Sequence, residues 1–594
     1  MCSDCDSKSR ARAGKSFLRK PILSIISVLS LILLAATPAL AGSWEHSFFG
    51  GTQYPLRVVY LEGSEPGPTV MVQGGIQGDE TAGFVTAQLL TQAKVTKGNV
   101  IILPRANVPS INLRKRQVNV DMNRRFDQNY NRFYEDRVAR VIRFLLAQSD
   151  AFIHLHEGSG FYHPTYVDNL RNPNRYGQSI IIDTLHYGGI DLEATANSVL
   201  DELNRGILSS DYHFRLFNTK TFDTGTSYPE MRKSLTCYAL SEHGIPAMAV
   251  EVSKDIIQLD WKVRQQLHAT IMLLDRLGVK VTAPDFSDSD VRAYSRTNVQ
   301  VQVNGRIMQG DASLVLAPGT TLAVESLASG PSEFAPELAL FASDRPGVNL
   351  LNAHRMALEP FSELELRSDG KRVARARVKW TGKMPNSPGN DKTVFVCWLN
   401  GNPTFVREGE VLNTVFGDQL ILEGIWGSDK QEVVNLKGFV AIPWANNGQD
   451  MGWEIILDPE TFLSKYSLES SRPGVTRYRV VRETPGTRPA TFYIDIEPRR
   501  IHALRLADKQ GRSLFIPWIP GGSYSLPEGE YVLEDAWSNG PGDKLVATTG
   551  EVPVSTGHGF KVDYANPLQL TVRQATTFAG IGTMTFTASG LAER

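Results

Sequence analysis

Apolar residues follow two different rhythms along this chain. From Gly50 to about Val281, short continuous apolar runs (LRVVYLEG, TVMVQGGI, NVIILPRAN, AFIHLHEG and PAMAVEVSKD) alternate with longer stretches whose apolar positions recur every three or four residues. The short runs have the length of buried strands. The longer ones, near residues 80–94, 131–148, 190–208 and 258–277, have the period of amphipathic helices. This alternation implies an α/β domain with a largely parallel sheet. Near Thr282 the rhythm changes: the polar stretch APDFSDSD reads as a linker, and beyond it helical periodicity almost disappears. Short β runs such as VQVQVNGRI, TTLAVES and LELELRSDGKRVARARVKW follow, separated by Gly, Pro, Asn and Asp.

Turn formers concentrate again in KMPNSPGNDK and near Ser470 to Gly474. The expected plan is therefore an α/β domain over residues 42–282 and β domains over 283–382, 383–473 and 474–594. A chain of 594 residues is too long for a single core, which agrees with that division. In the last region, PWIPGGSYSLPEGEYVLED resembles the strand-turn-strand of an immunoglobulin-like or carbohydrate-binding β-sandwich, a likeness of fold only.

The first 41 residues stand apart. Lys8, Arg10, Arg12, Lys15, Arg19 and Lys20 precede an uncharged apolar run from Pro21 to Ala36, and Ala39-Leu40-Ala41 has the form of a signal-peptidase site. This is read as an export signal cleaved after Ala41, with an uncleaved N-terminal membrane anchor as the alternative; cleavage implies a periplasmic protein with no stable membrane anchor afterwards. Cleavage removes six basic and two acidic residues and takes the formal charge from −1 to −5. A mildly acidic surface argues against nucleic acid as a partner. Cys2 and Cys5 leave with the signal. The remaining Cys237 and Cys397, far apart in sequence, read as buried small hydrophobes.

Four short stretches carry candidate chemistry. In VMVQGGIQGDETAGFV, Gln77 and Glu80 stand three apart where a helix is expected to open, so their oxygens can converge on one cation; a capped helix with a solvated acidic turn is the plainer reading. NVDMNRRFD holds Asn123 and Arg124, and Arg is the side chain best suited to grip a planar carboxylate. AFIHLHEG places His154 and His156 on one face of a strand. PAMAVEVSKD buries Glu251 in an apolar strand, where an ionised carboxylate costs several kcal/mol unless it is paired, metal-linked or functional.

The order of these residues resembles the zinc carboxypeptidase layout over roughly residues 50–280. The resemblance implies a carboxypeptidase-like mixed sheet with flanking helices, followed here by two or three small all-β domains. It implies zinc ligands at Glu80 and His156, with Gln77 where most of the family has His. Asn123 and Arg124 bind the substrate carboxylate, Glu251 is the general base, and Arg114 or Arg116 stabilises the oxyanion. His154 stands where many relatives have Asp, so it faces the substrate or supports His156. Tyr162 and Tyr166 read as packing residues in preference to pocket lining. The Gln-x-x-Glu form, in an exported chain with β domains after the peptidase, resembles the cell-shape DL-carboxypeptidases of helical bacteria. These release terminal meso-diaminopimelate from γ-D-Glu in peptidoglycan stem tripeptides. Two alternatives stay open: an aspartoacylase-like zinc deacylase, and a non-catalytic wall-binding protein with a degenerate metal site.

Overall fold

The apolar runs that read as strands assemble into one sheet. The computed structural model describes residues 42–294 and, from 299 to 589, all but 309, 319–320, 329–333, 344–346, 352–353, 357–360, 383–391, 429–430, 442–447, 542–543, 551 and 555–558. The expected signal segment and most of KMPNSPGNDK lie outside the described residues. Strands β1 (Gly42–Phe48), β2 (Leu56–Glu62), β3 (Glu65–Gln73), β4 (Lys94–Leu103), β5 (Ala151–Gly158), β6 (Ser179–Ile182), β7 (Arg215–Asn218), β8 (Ala247–Ser253) and β9 (Lys280–Thr282) form a nine-stranded sheet. Its order is β1-β2-β4-β3-β5-β8-β6-β7, with β9 on β4.

The centre, β4-β3-β5-β8, is parallel, as is β6 with β7; β1, β2, β9 and the β8-β6 contact are antiparallel. The sheet is thus mixed, and less parallel than the bare alternation suggests. Strands β6 and β7 and the helix Leu235–His243 were not read from the pattern, because they are short and lie among polar loops.

Helices cover both faces. On one side α1 (Thr81–Leu90), α4 (Leu192–Leu203) and α6 (Leu259–Arg276) bury a core with Val72, Ile153, Leu155 and Val250. On the other, α3 (Tyr134–Leu146) and α5 (Leu235–His243) pack on Met71, Ile101 and Phe152. A short α2 (Val108–Leu113) lies between β4 and α3. Among the described residues no helix is long and apolar enough to cross a membrane.

The expected linker after Thr282 is a correction. Asp288–Ala293 is a helix with a capping box formed by Ser287 and Asp290. Val291 and Tyr294 are buried in the first core, and Arg264 pairs with Asp288. The α/β domain therefore runs to about residue 294.

Beyond it, three pairs of β-sheets occupy 299–380, 394–497 and 501–589. Strands Thr476–Arg482 and Ala490–Glu497 share a sheet with Val411–Val415 and Val434–Leu436. The expected boundary at 473–474 thus falls inside a domain, because a turn-rich stretch joins strands of one sheet as readily as it separates two domains. Cys237 and Cys397 are free and buried.

All three β units are bonded to the α/β domain. Arg105 after β4 makes a bidentate pair with Asp369, at 2.8 and 2.9 Å. Glu454 accepts the backbone N–H of Gln53 at 3.0 Å. From the last unit, Phe578 enters the second core, meeting Phe48 and Phe144 edge to face at 4.9 and 5.1 Å. Arg140 donates to the Thr577 carbonyl at 2.6 Å beside it. Removing a fully buried Phe ring costs roughly 3–5 kcal/mol. Phe578→Ala should therefore lower the melting temperature of the whole chain by several degrees, and an unchanged melt would show that this ring does not tie the last unit down.

Beside Arg105, burial pushes the Glu337 carboxyl from 4.5 up to about 7; Arg105 and Arg57 pull it down and Asp369 pushes it further up. The folded state holds this proton more tightly than the unfolded chain, so the associated stability is present at low pH and is lost as pH rises from 4.5 to about 7. Glu337→Gln should match wild type in thermal stability near pH 4 and exceed it at about pH 8. Superimposable pH profiles for the two proteins would remove Glu337 from the account.

Candidate active site

Strand β3 stops at Gln73 and α1 starts only at Thr81. Gln77 therefore lies in the connecting loop and Glu80 at the N-cap position, which corrects the expected placement of both on a first helical turn. Gly78 supplies the reason. Its N–H is spent on the Lys115 carbonyl at 3.0 Å, and a Cβ there would fall 2.0 Å from the backbone of Ser110. The chain is pinned against the short helix α2 and cannot continue α1 upstream. A turn bond from Glu80 N–H to the Gln77 carbonyl, 3.3 Å, still keeps the two residues together. Glu80 makes no side-chain cap; the first-turn amide of Ala82 donates to Glu157 Oε1 instead, and Glu157 is held by Lys262 Nζ at 2.7 Å. The Glu80 carboxylate turns to strand β5, where its Oε2 accepts the Glu157 N–H at 3.2 Å.

The other half of the site comes from register. Strands β5 and β8 are parallel neighbours, and His156 is paired with Glu251 across them. Side chains of residues paired in this way stand on the same face of the sheet. Gln266 on α6 donates to both the His156 and Val250 carbonyls, at 2.9 and 3.0 Å, and ties the two strands together. His156 Nδ1 lies 2.8 Å from Glu80 Oε2, and its Nε2 lies 3.1 Å from His154 Nδ1. The other Glu80 oxygen is 3.7 Å from Lys254 Nζ, which bonds Asp79 at 2.7 Å. Burial pushes the Glu251 carboxyl up to about 7; His156 pulls it down, Glu80 pushes it up, and Lys254 and Arg116 pull it down. Gly158 makes room for it: a Cβ there would sit 2.5 Å from Glu251 Cδ.

Gln77, Glu80 and His156 are all buried. Gln77 donates its amide nitrogen to Asp121 Oδ1 at 3.4 Å, which turns the amide oxygen away from Asp121. Among the described residues no cluster of three His, Cys, Asp or Glu side chains is placed to hold a metal. This set has two such groups, and an amide oxygen would be the third donor. The Glu80 carboxylate and the His156 imidazole are in contact, and with the amide oxygen of Gln77, three residues before Glu80, they are donor types that fit a four-coordinate divalent cation with an open position. His154 is wholly buried and, among the described residues, its Nε2 has no hydrogen-bond partner; its Nδ1 lies against the His156 ring and orients it.

Asp121 was not singled out in the sequence, yet it links the two halves of the site. It caps the turn Met122–Arg124 by accepting the Asn123 N–H at 3.1 Å, and it takes Arg116 Nη2 at 2.9 Å as well as Gln77. Its signal was its place two residues before Asn123, which is an N-cap spacing. Asn123 Oδ1 accepts the Leu235 N–H at 3.0 Å, which leaves the amide N–H groups as its free donors. Arg124 is partly buried, and burial lowers its pKa while Asp121 raises it. It bonds the Asn123 carbonyl and Met231 Sδ, and among the described residues no carboxylate lies within ion-pair distance. A desolvated guanidinium without a carboxylate is a receptor for an anion.

Arg114 sits in the left-handed region at φ 51 and packs against Gly370, whereas Arg116 contributes to the electrostatics of both Glu251 and Arg124. Tyr162 packs against Tyr176 with the rings tilted and their centres 4.9 Å apart, while Tyr166 is exposed and bonds Asn169, so the packing reading fails for Tyr166.

Residues 55–295 match the family model described as the catalytic domain of a carboxypeptidase controlling helical cell shape. This part of the chain resembles the cell-shape carboxypeptidases. N-alpha-acetyl-L-2,4-diaminobutyric acid deacetylase of Halomonas elongata is 31% identical over 121 residues, 19% of this chain; the match spans 34% of that relative's length. Tripeptide-bound cell shape determinant Csd4 of Helicobacter pylori aligns at 24% identity over 72% of this chain and 95% of its own, with a TM-score of 0.42. A succinylglutamate desuccinylase/aspartoacylase from Rhodobacter sphaeroides aligns at 15% identity over 57% and 95%, with a TM-score of 0.28.

The space that Gly158 leaves for Glu251 can be tested directly. Gly158→Ala should displace the carboxyl from its place beside His156 and cost roughly 1–3 kcal/mol of stability, the usual penalty of overpacking. A crystal structure of the variant with Glu251 unmoved, at wild-type stability, would count against this contact.

Proposed function

We propose that the chain is a zinc-dependent DL-carboxypeptidase of the periplasm that releases terminal meso-diaminopimelate from γ-D-Glu in peptidoglycan stem tripeptides, and so influences cell shape. The observation that carries the proposal is the meeting of four separate stretches at one end of the sheet. Glu80 bonds His156, His156 stands in register with Glu251, and Asp121 joins Gln77 to the Asn123–Arg124 turn. The family model over residues 55–295 supports the same activity. Export follows from the signal read in residues 1–41.

Gln77, Glu80 and His156 would hold the zinc, which supplies a Lewis acid for the scissile carbonyl and a water acidified toward neutrality. Arg124 binds the terminal carboxylate through paired N–H donors, and the free amide of Asn123 adds another. This makes the enzyme an exopeptidase, since only a chain end presents a carboxylate there. Glu251 takes a proton from the attacking water and returns it to the leaving amine, a task suited to a carboxyl held near neutrality. Arg116 stabilises the oxyanion, and Asp121 fixes its position. His154 keeps the His156 ring oriented, and Lys254 steadies the outer oxygen of Glu80.

The identity to a diaminobutyrate deacetylase favours a second reading, a zinc deacylase acting on a small N-acyl amino acid. One experiment separates the readings. Zinc-loaded wild type is expected to release diaminopimelate from a muramyl tripeptide and no acetate from N-acetyl-diaminobutyrate. Glu251→Gln should keep its zinc and lose nearly all turnover, and Gln77→Ala should lose zinc as well as turnover. Acetate release without diaminopimelate release would establish the deacylase. Zinc-free wild type that stays inactive with added metal would leave a wall-binding protein.

A further inference from the structure

The last β unit exposes two large aromatic rings on an open sheet. Strands Ser513–Pro517, Ile501–Asp508 and Gly529–Ser538 lie side by side, and on the outer face Ala503 is paired with both Pro517 and Trp537 while Arg505 is paired with both Phe515 and Asp535. Ala503 is small enough for the rings of Phe515 and Trp537 to meet above it, edge to face at 5.3 Å. The two residues remain 56% and 49% exposed, so nothing among the described residues buries them. The indole is held in one orientation by its Nε1–H bond to Asp535 Oδ2, 3.0 Å. Beside the rings, Glu534 accepts from Ser513 Oγ at 2.9 Å and pairs with Arg505 at 3.2 Å.

From this geometry we propose that the face around Phe515 and Trp537 binds the glycan strand of the cell wall; the choice of wall polymer rests on the function proposed above. A pyranose has an apolar C–H face and a rim of hydroxyls. The exposed rings match the first, and the side chains of Asp535, Glu534 and Arg505 match the second as acceptors and donors. The charge of the patch selects among wall components. One Arg against Glu534 and Asp535 leaves a net negative surface, which suits the uncharged N-acetylglucosamine units that alternate along the strand and disfavours the acidic stem peptides. A second copy of the chain fits less well, since two aromatic side chains offer at most roughly 500 Å², below the roughly 800 Å² per partner of a stable interface. An indole already fixed by Asp535 loses little freedom on binding. The surface would hold the enzyme on the polymer whose side chains it trims.

The test uses the full chain. Affinity is measured by calorimetry for soluble glycan strands freed of stem peptides and for the isolated tripeptide, and release of diaminopimelate from that tripeptide is followed in parallel. Wild type is expected to bind the strands, and Trp537→Ala and Phe515→Ala to bind them at least tenfold more weakly, with Trp537→Phe retaining much of the affinity. All three variants should melt with wild type and cleave soluble tripeptide at the wild-type rate. Glycan binding that is absent in wild type, or unchanged in Trp537→Ala, overturns the proposal. So does a concentration-dependent wild-type dimer that Trp537→Ala abolishes, which would make the face a self-interface. Trp537-dependent glycan binding by a protein that releases no diaminopimelate would sustain this surface while the proposed activity falls.

Discussion

The pairing of His156 with Glu251 across two parallel central strands is the constraint on which the site depends. An unpaired charge in the middle of a sheet is costly, so each polar group brought there requires another. Glu251 is tolerated because the imidazole of His156 and the charges of Lys254 and Arg116 act on it, and because Gly158 has no side chain to obstruct it. His156 is in turn bonded on both ring nitrogens, by Glu80 and His154. On the opposite face of β5, Glu157 receives Lys262 and the first turn of α1, so one strand places His156 toward the site and an anchor toward the helices in successive residues. The sheet fixes the geometry because a one-residue slip would put every one of these groups on the wrong face.

Loops supply the remainder, and each is tied down by a buried polar contact. Gly78 presses the β3–α1 loop against Ser110, and Asp121 joins that loop to the turn bearing Arg124. The side that would meet a substrate carboxylate is thus mechanically linked to the side that would hold the cation. Asp183 adds a second brace: it is buried among the hydroxyls of Thr219, Thr221 and Thr236, and its charge acts on Arg124. The β units are part of the same structure. Arg105 with Asp369, Gln53 with Glu454, and Phe578 between Phe48 and Phe144 attach each of them to the α/β domain through buried or partly buried groups.

Much of this was legible in the chain itself, for physical reasons. Continuous apolar runs can only be buried strands, so β2 to β5 and β8 could be read directly, and the long amphipathic periods marked α1, α3, α4 and α6. An ionisable residue inside such a run, as at Glu251, is anomalous wherever the strand ends up. Gln77, Glu80, Asn123, Arg124 and His156 are identifiable as donor types, and their order carried the resemblance. What local pattern could not supply were the short strands β6 and β7, the helix Leu235–His243, and the true end of the α/β domain near residue 294. In those places tertiary contact, not periodicity, selects the conformation.

Tertiary structure alone decided which residues meet. No spacing rule places Glu251 beside His156, which lie 95 positions apart; the parallel register of two strands does so. Nor could the sequence show that Gln77 and Glu80 sit ahead of the helix instead of on it, because the cause is the contact of Gly78 with the short helix α2, more than thirty residues away. The separation of Arg114 from Arg116 follows the same logic: a left-handed turn sends the first toward Gly370, and a bond to Asp121 holds the second. The composition of the chain determined which chemistry was available, and long-range packing determined where those groups converge, because burial of charge is settled by neighbours that are distant in sequence.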